Sequence, residues 1–283
     1  MKTCAELKNF ALEIRKGIVE AIAAKGGGHI GGSLDLADLL AVLYGNILRI
    51  KPQEPQWSER DYVVCSKGHA GPALYAALAL TGFFPYERLY TLNRGGTELP
   101  GHCDRMKVPG IDATTGSLGQ GLSIACGLAL GSKLKKHNQR IFCILGDGEL
   151  AEGQNWEAAQ FAAHYELGNL IAFVDLNHMQ IDGSNDKVMK LRDPAEKFRA
   201  FGRNAKTIAG NSEEKIQETL NNIILEGSSM PACVVLKTQK GAGVPCIEEM
   251  PNNHCIGFPK PLAEKALGQL AETKRKLIME EKK

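Results

Sequence analysis

Ile141-Phe142-Cys143-Ile144-Leu145 running into Gly146-Asp147-Gly148-Glu149, and then Leu170-Ile171-Ala172-Phe173-Val174 running into Asp175-Leu176-Asn177, form the stretch that decides the fold. Both apolar runs lack polar alternation and read as strands buried on two faces, with a helix over Asn155–Tyr165 between them. The same beat continues on either side. Tyr62–Cys65 and Ala232–Leu236 are further buried strands, and Pro72–Leu80, Gly121–Lys136 and Ser212–Glu226 further helices. Short apolar strands alternating with helices predict an α/β fold, a mostly parallel sheet with helices on both faces. Ligands of such sheets bind beyond the carboxyl ends of the strands.

Working outward, Leu7, Phe10, Ala11, Ile14, Ile18, Ala21 and Ile22 describe an amphipathic first helix that stops at Gly26-Gly27-Gly28. Ser33 is expected to cap a second helix reaching about Tyr44. Residues 93–117 have little periodicity, and their His and Thr content favours function over linker. From about residue 262, Ala266, Leu267, Leu270, Ala271, Leu277 and Ile278 predict one surface helix. No repeat or linker interrupts the chain, so residues 1–283 read as a single domain, and the Lys-rich end reads as a natural terminus.

Composition narrows the function classes. Lys+Arg total 34 against 32 for Asp+Glu, which gives no case for nucleic acid or an anionic membrane as partner. The eight cysteines form no C-x-x-C pair, so neither a zinc site nor a disulfide framework is expected, and free thiols fit a reducing, cytoplasmic setting. The first residues lack the apolar core of a signal peptide, and no apolar run approaches the ~20 residues of a membrane helix.

Asp147 and Asn177 lie 30 residues apart, each just past the carboxyl end of a strand. A right-handed strand–helix–strand crossover sets those ends side by side. A carboxylate and an amide oxygen meeting there suit Mg²⁺, which takes oxygen ligands and shares them with phosphate. Gly146 and Gly148 are expected to keep side chains away from such a phosphate, and the N-terminus of the following helix to favour it. Alone, Gly-Asp-Gly reads as a tight turn with Asp147 as an N-cap. With a correctly spaced Asn after a second buried strand, it reads as a metal–diphosphate site.

Gly146-Asp147-Gly148, then 28 residues, then Asn177 resembles the thiamine-diphosphate motif. The flanks Glu149 to Ala159 and Val174 to Gly183 resemble transketolases, as do Ser66-Lys67-Gly68-His69-Ala70, Leu99-Pro100-Gly101-His102 and Ala113 to Gly121, in the same order. The resemblance runs from Gly28-His29 to His254 and implies a thiamine-diphosphate-binding fold. It implies thiamine diphosphate with Mg²⁺ (Ca²⁺ or Mn²⁺ able to substitute), the metal held by the Asp147 and Asn177 side chains and the Met179 carbonyl. His69, Gly116, Ser117, Leu118, Gly148, Glu149, Lys240 and His254 join Asp147 and Asn177 around the cofactor. His29, His69, His102 and His254 line the substrate channel as catalytic residues, and Glu152 communicates between paired active sites. The reaction implied is transfer of a two-carbon ketol unit from a ketose or ketose phosphate to an aldose or aldose phosphate, as in pentose phosphate metabolism. His137 and His164 read as turn and helix residues, and His178 receives no role.

Transketolases of full length continue into a pyrimidine-binding domain, with its glutamate, and a third domain. The resemblance therefore implies a split enzyme, with those parts on a separate C-terminal subunit, in a two-fold α₂β₂ assembly. Two departures stand out. Gly27-Gly28-His29-Ile30-Gly31-Gly32 replaces a Ser-Gly-His-Pro-Gly pattern and leaves room for unphosphorylated or modified sugars; Cys255-Ile256 follows His254 where the family more often has glycine. One competing reading is a deoxyxylulose-phosphate-synthase-like or 2-oxoacid-dehydrogenase chain. Another is a non-catalytic cofactor-binding chain. A plain nucleotide-binding domain is disfavoured by the lack of Walker A and G-x-G-x-x-G motifs.

Overall fold

The structure, a computed structural model, describes residues 1–280; the Lys-rich end expected to be a terminus runs into residues outside them. Five strands, β1 (Tyr62–Cys65), β2 (Ile141–Gly146), β3 (Leu170–Leu176), β4 (Asn204–Ala209) and β5 (Ala232–Lys237), form a sheet of order β1-β2-β3-β5-β4 with every pair parallel. Tyr62 pairs with Ile141 and Ile141 with Leu170, so the carboxyl ends of the central strands share one edge.

The helices are α1 (Cys4–Lys25), α2 (Ala37–Val42), α3 (Gly71–Leu80), α4 (Gln120–Leu134), α5 (Gln154–His164), α6 (Pro194–Ala200), α7 (Glu213–Glu226) and α8 (Lys260–Glu280), besides shorter turns. Strand residues alternate between two cores. Phe142, Ile144, Ile171, Phe173, Val234 and Leu236 join α1, α2, α3, α7 and α8 on one face. Cys143, Leu145, Ala172, Val174, Cys233 and Val235 join α4, α5 and α6 on the other. This is why the central strands carry no polar alternation: both faces are buried.

Local signals place the ends. Thr3 and Glu6 exchange hydrogen bonds as a capping box (3.2 and 2.7 Å), and α1 stops at Gly26, whose φ of 86° suits glycine. Ser212 caps α7 by accepting from Lys215 N. Ser33 does not act as a cap. It sits inside a one-turn helix, Gly31–Leu34, and its hydroxyl donates back to His29 O (2.6 Å). Asn253 O holds Gly31 N at 2.9 Å, which starts that turn early; the chain breaks at Asp35 and resumes as α2, followed by a π turn over Leu43–Ile47.

Two elements lie outside the sequence expectations. β4, Asn-Ala-Lys-Thr-Ile-Ala, is an edge strand in which Ala205 alone is buried, so no apolar run marks it. α6 is seven residues, capped by Asp193 with Pro194 next, too short to display a period. Residues 93–117 carry neither helix nor strand, yet Leu99, Cys103, Val108, Ile111 and Ala113 are buried and Thr115 N donates to Cys103 O. The stretch is an anchored loop that delivers His102 and Gly116 to the sheet edge. A two-residue antiparallel ladder joins Gly27–Gly28 to Ile256–Gly257.

Candidate active site

At the edge where β2 and β3 end lies a pocket of about 270 Å³. The crossover brings Asp147 and Asn177 into its wall together. Asp147 N donates to Asp175 O across the strand pair (3.1 Å), and the carboxylate accepts from Gly148 N (2.8 Å) and His178 N (2.6 Å). Asp147 is 3% exposed, and burial, then the charge of Asp175, push its pKa up to about 6. Asn177 donates its amide to Asp35 (2.8 Å) and Asp175 (3.3 Å), while its Oδ1 accepts from Met179 N (2.9 Å).

The local geometry differs from expectation twice. A short 3₁₀ turn, Gly148–Ala151, follows Asp147, and α5 starts only at Gln154, so no long helix begins at the pocket. Gly148 is required by protein packing, since a Cβ there stands 2.9 Å from Gln180 Cβ. At Gly146 a Cβ makes ordinary contacts, the nearest to Lys67 at 3.7 Å, so protein contacts do not demand that glycine.

Three buried charged residues, Lys67 in the pocket lining and Asp35 and Asp175 behind it, are not among the site residues expected from the sequence. Lys67, 2% exposed, forms an ion pair with Asp175, whose other oxygen accepts from Thr238 Oγ1 (2.5 Å). Burial opposes the Lys67 ammonium, but Asp175 and then Asp35 outweigh it and hold its pKa above the ordinary value. Asp35, 1% exposed, has its pKa raised well above the ordinary value by burial first and Asp175 second. The sequence does carry a signal: Leu34-Asp35-Leu36 and Val174-Asp175-Leu176 put a carboxylate inside an apolar run, where a charge must find partners.

Four loop histidines converge on this pocket. His29 lies 5.3, 5.6 and 5.4 Å, ring centroid to centroid, from His69, His102 and His254, and His69 lies 4.9 Å from His254. The Gly27–Gly28/Ile256–Gly257 ladder fixes the facing of His29 and His254. Burial chiefly, then neighbouring positive charge, drives the pKa of His69 down to about 2 and that of His254 to about 4; burial also lowers that of His29. Near pH 7 these rings are neutral and can each donate and accept one hydrogen bond.

Lys240, 7% exposed, places Nζ 3.4 Å from His254 Nδ1; it lines the pocket, as do Gly116, Leu118, Gly148 and Met179. Glu149 also lines it, but Ser66 Oγ, Gly119 N and Gly146 N donate to its carboxylate, tying the strand end to α4. Ser117 and Glu152 are exposed and stand outside the pocket wall, Glu152 packing where a Cβ on Gly119 would fall. His137 lies just past the turn that ends α4, His164 ends α5, and His178 holds a φ of 62° with its N–H on Asp147.

The residues present fit a cation and a diphosphate. Among the described residues no group of three or more His, Cys, Asp or Glu could hold a metal ion. Instead Asp147, Asn177 and the Met179 carbonyl offer carboxylate, amide and main-chain oxygen, a donor set for a hard cation that completes its shell with phosphate and water. A divalent cation beside Asp147 also relieves the charge conflict with Asp175. Lys240 supplies positive charge on the same wall.

The comparisons agree with this geometry. Residues 7–283 match the family described as transketolase, thiamine diphosphate binding domain. The chain is 44% identical to the 6-deoxy-6-sulfo-D-fructose transketolase subunit SqwG of a Clostridium species, covering 94% of this chain and 96% of that one. It is 37% identical to one of the subunits of the apulose-4-phosphate transketolase of Phocaeicola vulgatus, covering 94% of each. Against the transketolase of Pongo abelii it is 35% identical over 96% of its own length but spans 44% of that protein. The crystal structure of Campylobacter jejuni transketolase superposes with a TM-score of 0.88 at 29% identity, covering 96% of this chain and 43% of that one. With nearly its whole length matched at these identities, the chain belongs to the transketolase family, as its N-terminal, thiamine-diphosphate-binding part.

Proposed function

We propose that this chain is the diphosphate-binding subunit of a split transketolase. It moves a two-carbon ketol unit from a ketose to an aldose only when a C-terminal subunit completes the site. The observation that carries the chemistry is the convergence of four loop histidines on the pocket that also holds Asp147 and Asn177. The split is supported by coverage: the chain spans almost all of two relatives named as subunits but less than half of a single-chain transketolase.

In this reading Asp147, Asn177 and the Met179 carbonyl hold Mg²⁺, and Lys240 and His69 face the diphosphate. Gly116 and Leu118 flank the cofactor, with Ser117 beside them. When bound, thiamine diphosphate supplies a nucleophilic carbon and an electron sink for breaking the ketose C2–C3 bond. The chain's own work is positional and protonic. His29, His102 and His254 orient sugar hydroxyls and pass protons to and from their oxygens. Glu152, exposed on this chain, meets the partner or a second copy, and the assembly is α₂β₂. All eight cysteines are free thiols, which supports a reducing cytoplasmic setting.

The sugars in the relatives' names support a ketose carrying an anionic terminal group, sulfonate or phosphate, while the Gly27–Gly32 departure leaves room for a modified or unphosphorylated one. The test is two-carbon transfer by this chain mixed with the C-terminal subunit encoded beside it, with thiamine diphosphate and Mg²⁺, using fructose 6-phosphate, 6-deoxy-6-sulfofructose and apulose 4-phosphate as donors. Transfer that requires both chains is expected. Robust turnover by this chain alone overturns the split, and pyruvate decarboxylation in place of transfer moves the chain to another thiamine-diphosphate reaction.

A further inference from the structure

Asp35 touches two parts of the pocket that come from distant stretches of chain. Its Oδ2 accepts from the Asn177 amide (2.8 Å) and its Oδ1 from Gly241 N (2.7 Å), contacts separated by 142 and 206 residues in sequence. Each Asp35 oxygen accepts one of these N–H bonds, and Asp175, paired with Lys67, accepts from the same Asn177 Nδ2, so the two together fix which end of the Asn177 amide faces them. A flipped amide sets oxygen against oxygen, and the same flip fails against Asp175, which takes the Asn177 Nδ2 at 3.3 Å. The Asn177 Oδ1 is thereby left on the Met179 side, where it accepts from Met179 N. The second contact pins the loop that follows β5. Gly241 has a φ of 88°, and beside it Lys240 reaches into the pocket.

Other residues of that loop have separate holds: Asn253 donates to Lys240 O (3.1 Å) and Thr238 donates to Asp175. Arg15 donates to Ala242 O (2.7 Å) and pairs with Asp38, and Asn211 bridges Asp38 to Gln239 N. These contacts position Gln239 and Ala242 but touch neither Asn177 nor Gly241. Among the hydrogen bonds of the described residues, Asp35 alone joins the two directly.

We infer that Asp35 is a positioning residue that sets the Asn177 amide and the Lys240–Gly241 loop in one register, so that the metal corner and the cationic loop are presented to the diphosphate together. The inference rests on the proposed metal–diphosphate reading. It has consequences that appear without any ligand.

The two contacts separate by substitution. Asp35→Asn keeps an oxygen for Gly241 N but turns an NH₂ toward the Asn177 amide. Asp35→Ser is too short for either partner. In the ligand-free full-length chain, NMR hydrogen exchange of the Gly241 amide is expected near the wild-type rate in Asp35→Asn and at least tenfold faster in Asp35→Ser. The Asn177 side-chain amide resonances are expected to shift in both. In calorimetric titrations of the chain in complex with the C-terminal subunit, the Mg²⁺ needed for half-maximal thiamine diphosphate binding is expected to rise about tenfold in both variants, the usual scale for losing a group that orients a metal ligand. Thermal unfolding identifies any variant that fails to fold, and Asp35→Asn, isosteric with the native residue, keeps the test open. Wild-type exchange and wild-type Asn177 resonances in both variants overturn the inference. Wild-type chain that binds no Mg²⁺–thiamine diphosphate even in complex with the C-terminal subunit, with the ligand-free shifts still present, instead counts against the proposed function and leaves the positioning role standing.

Discussion

Replacing His69 and His254 together by asparagine is expected to flatten the acid side of the stability–pH curve. In the fold both rings are held neutral, their pKa values falling from an ordinary 6.5 to about 2 and about 4. Burial is the largest cause at each. It is followed at His69 by Lys67, His254, His29 and His102, and at His254 by Lys240, His29 and Lys67. The unfolded chain protonates both rings below 6.5 while the folded chain resists, so over this window the unfolded state binds more protons and stability rises with pH. At about pH 5 each ring sits ~1.5 units below its unfolded value, a cost of about 2 kcal/mol at ~1.36 kcal/mol per unit. Partial exposure of both rings screens some of this, leaving about 3 kcal/mol for the pair. Asp112 and Asp147, raised to about 6, and Glu213, raised to about 7, act in the opposite sense, because the fold binds their protons more tightly than the unfolded chain does. The wild-type curve alone is therefore uninformative, and the difference between proteins is what isolates the rings. Urea unfolding at about pH 5 and about pH 7.5 gives that difference. A double variant that loses as much stability on acidification as wild type, to within ~0.5 kcal/mol, refutes the account.

Asp147→Ala is expected to abolish Mg²⁺-dependent cofactor binding, a loss of at least ~100-fold by calorimetry, because it removes the only charged ligand proposed for the metal. His102→Ala is expected to lower turnover of the assembled enzyme about 100-fold with cofactor affinity little changed; a purely structural role would appear as lost stability in urea unfolding instead. Gly241→Ala forces a side chain into a φ of 88° and sets its Cβ 3.0 Å from Asn253 Nδ2, so urea unfolding should register a loss of about 1–2 kcal/mol.

Where both faces of an element are buried, its sequence declares it. β1, β2, β3 and β5 stand within two residues of their expected bounds because apolar runs such as Ile141–Leu145 have no other place to go. β4 escapes because an edge strand with one buried residue carries no such run. Asp147 and Asn177 are legible as a pair because a crossover of fixed hand leaves their strand ends nowhere else to meet. The convergence of His29, His69, His102 and His254 is not legible from spacing. It depends on loops closing over the sheet edge, and only a resemblance to known proteins places those residues together. Asp35 and Asp175 hide for the opposite reason: single carboxylates in apolar runs pass for noise in a periodicity, although burial makes them the residues most in need of partners.

The Gly27–Gly28/Ile256–Gly257 ladder also bears on the order in which the molecule is made. It joins residues about 230 positions apart, so His29 waits for His254 while almost the whole chain is synthesised. At roughly 5–20 residues per second that interval is on the order of 10–50 s. The first-made histidine loop thus leaves the ribosome long before its counterpart, and the β2–β3 corner can pair well ahead of the lid of loops above it. A nascent chain stalled anywhere between that corner and Ile256 carries Asp147 and Asn177 without the ladder that brings His29 and His254 together.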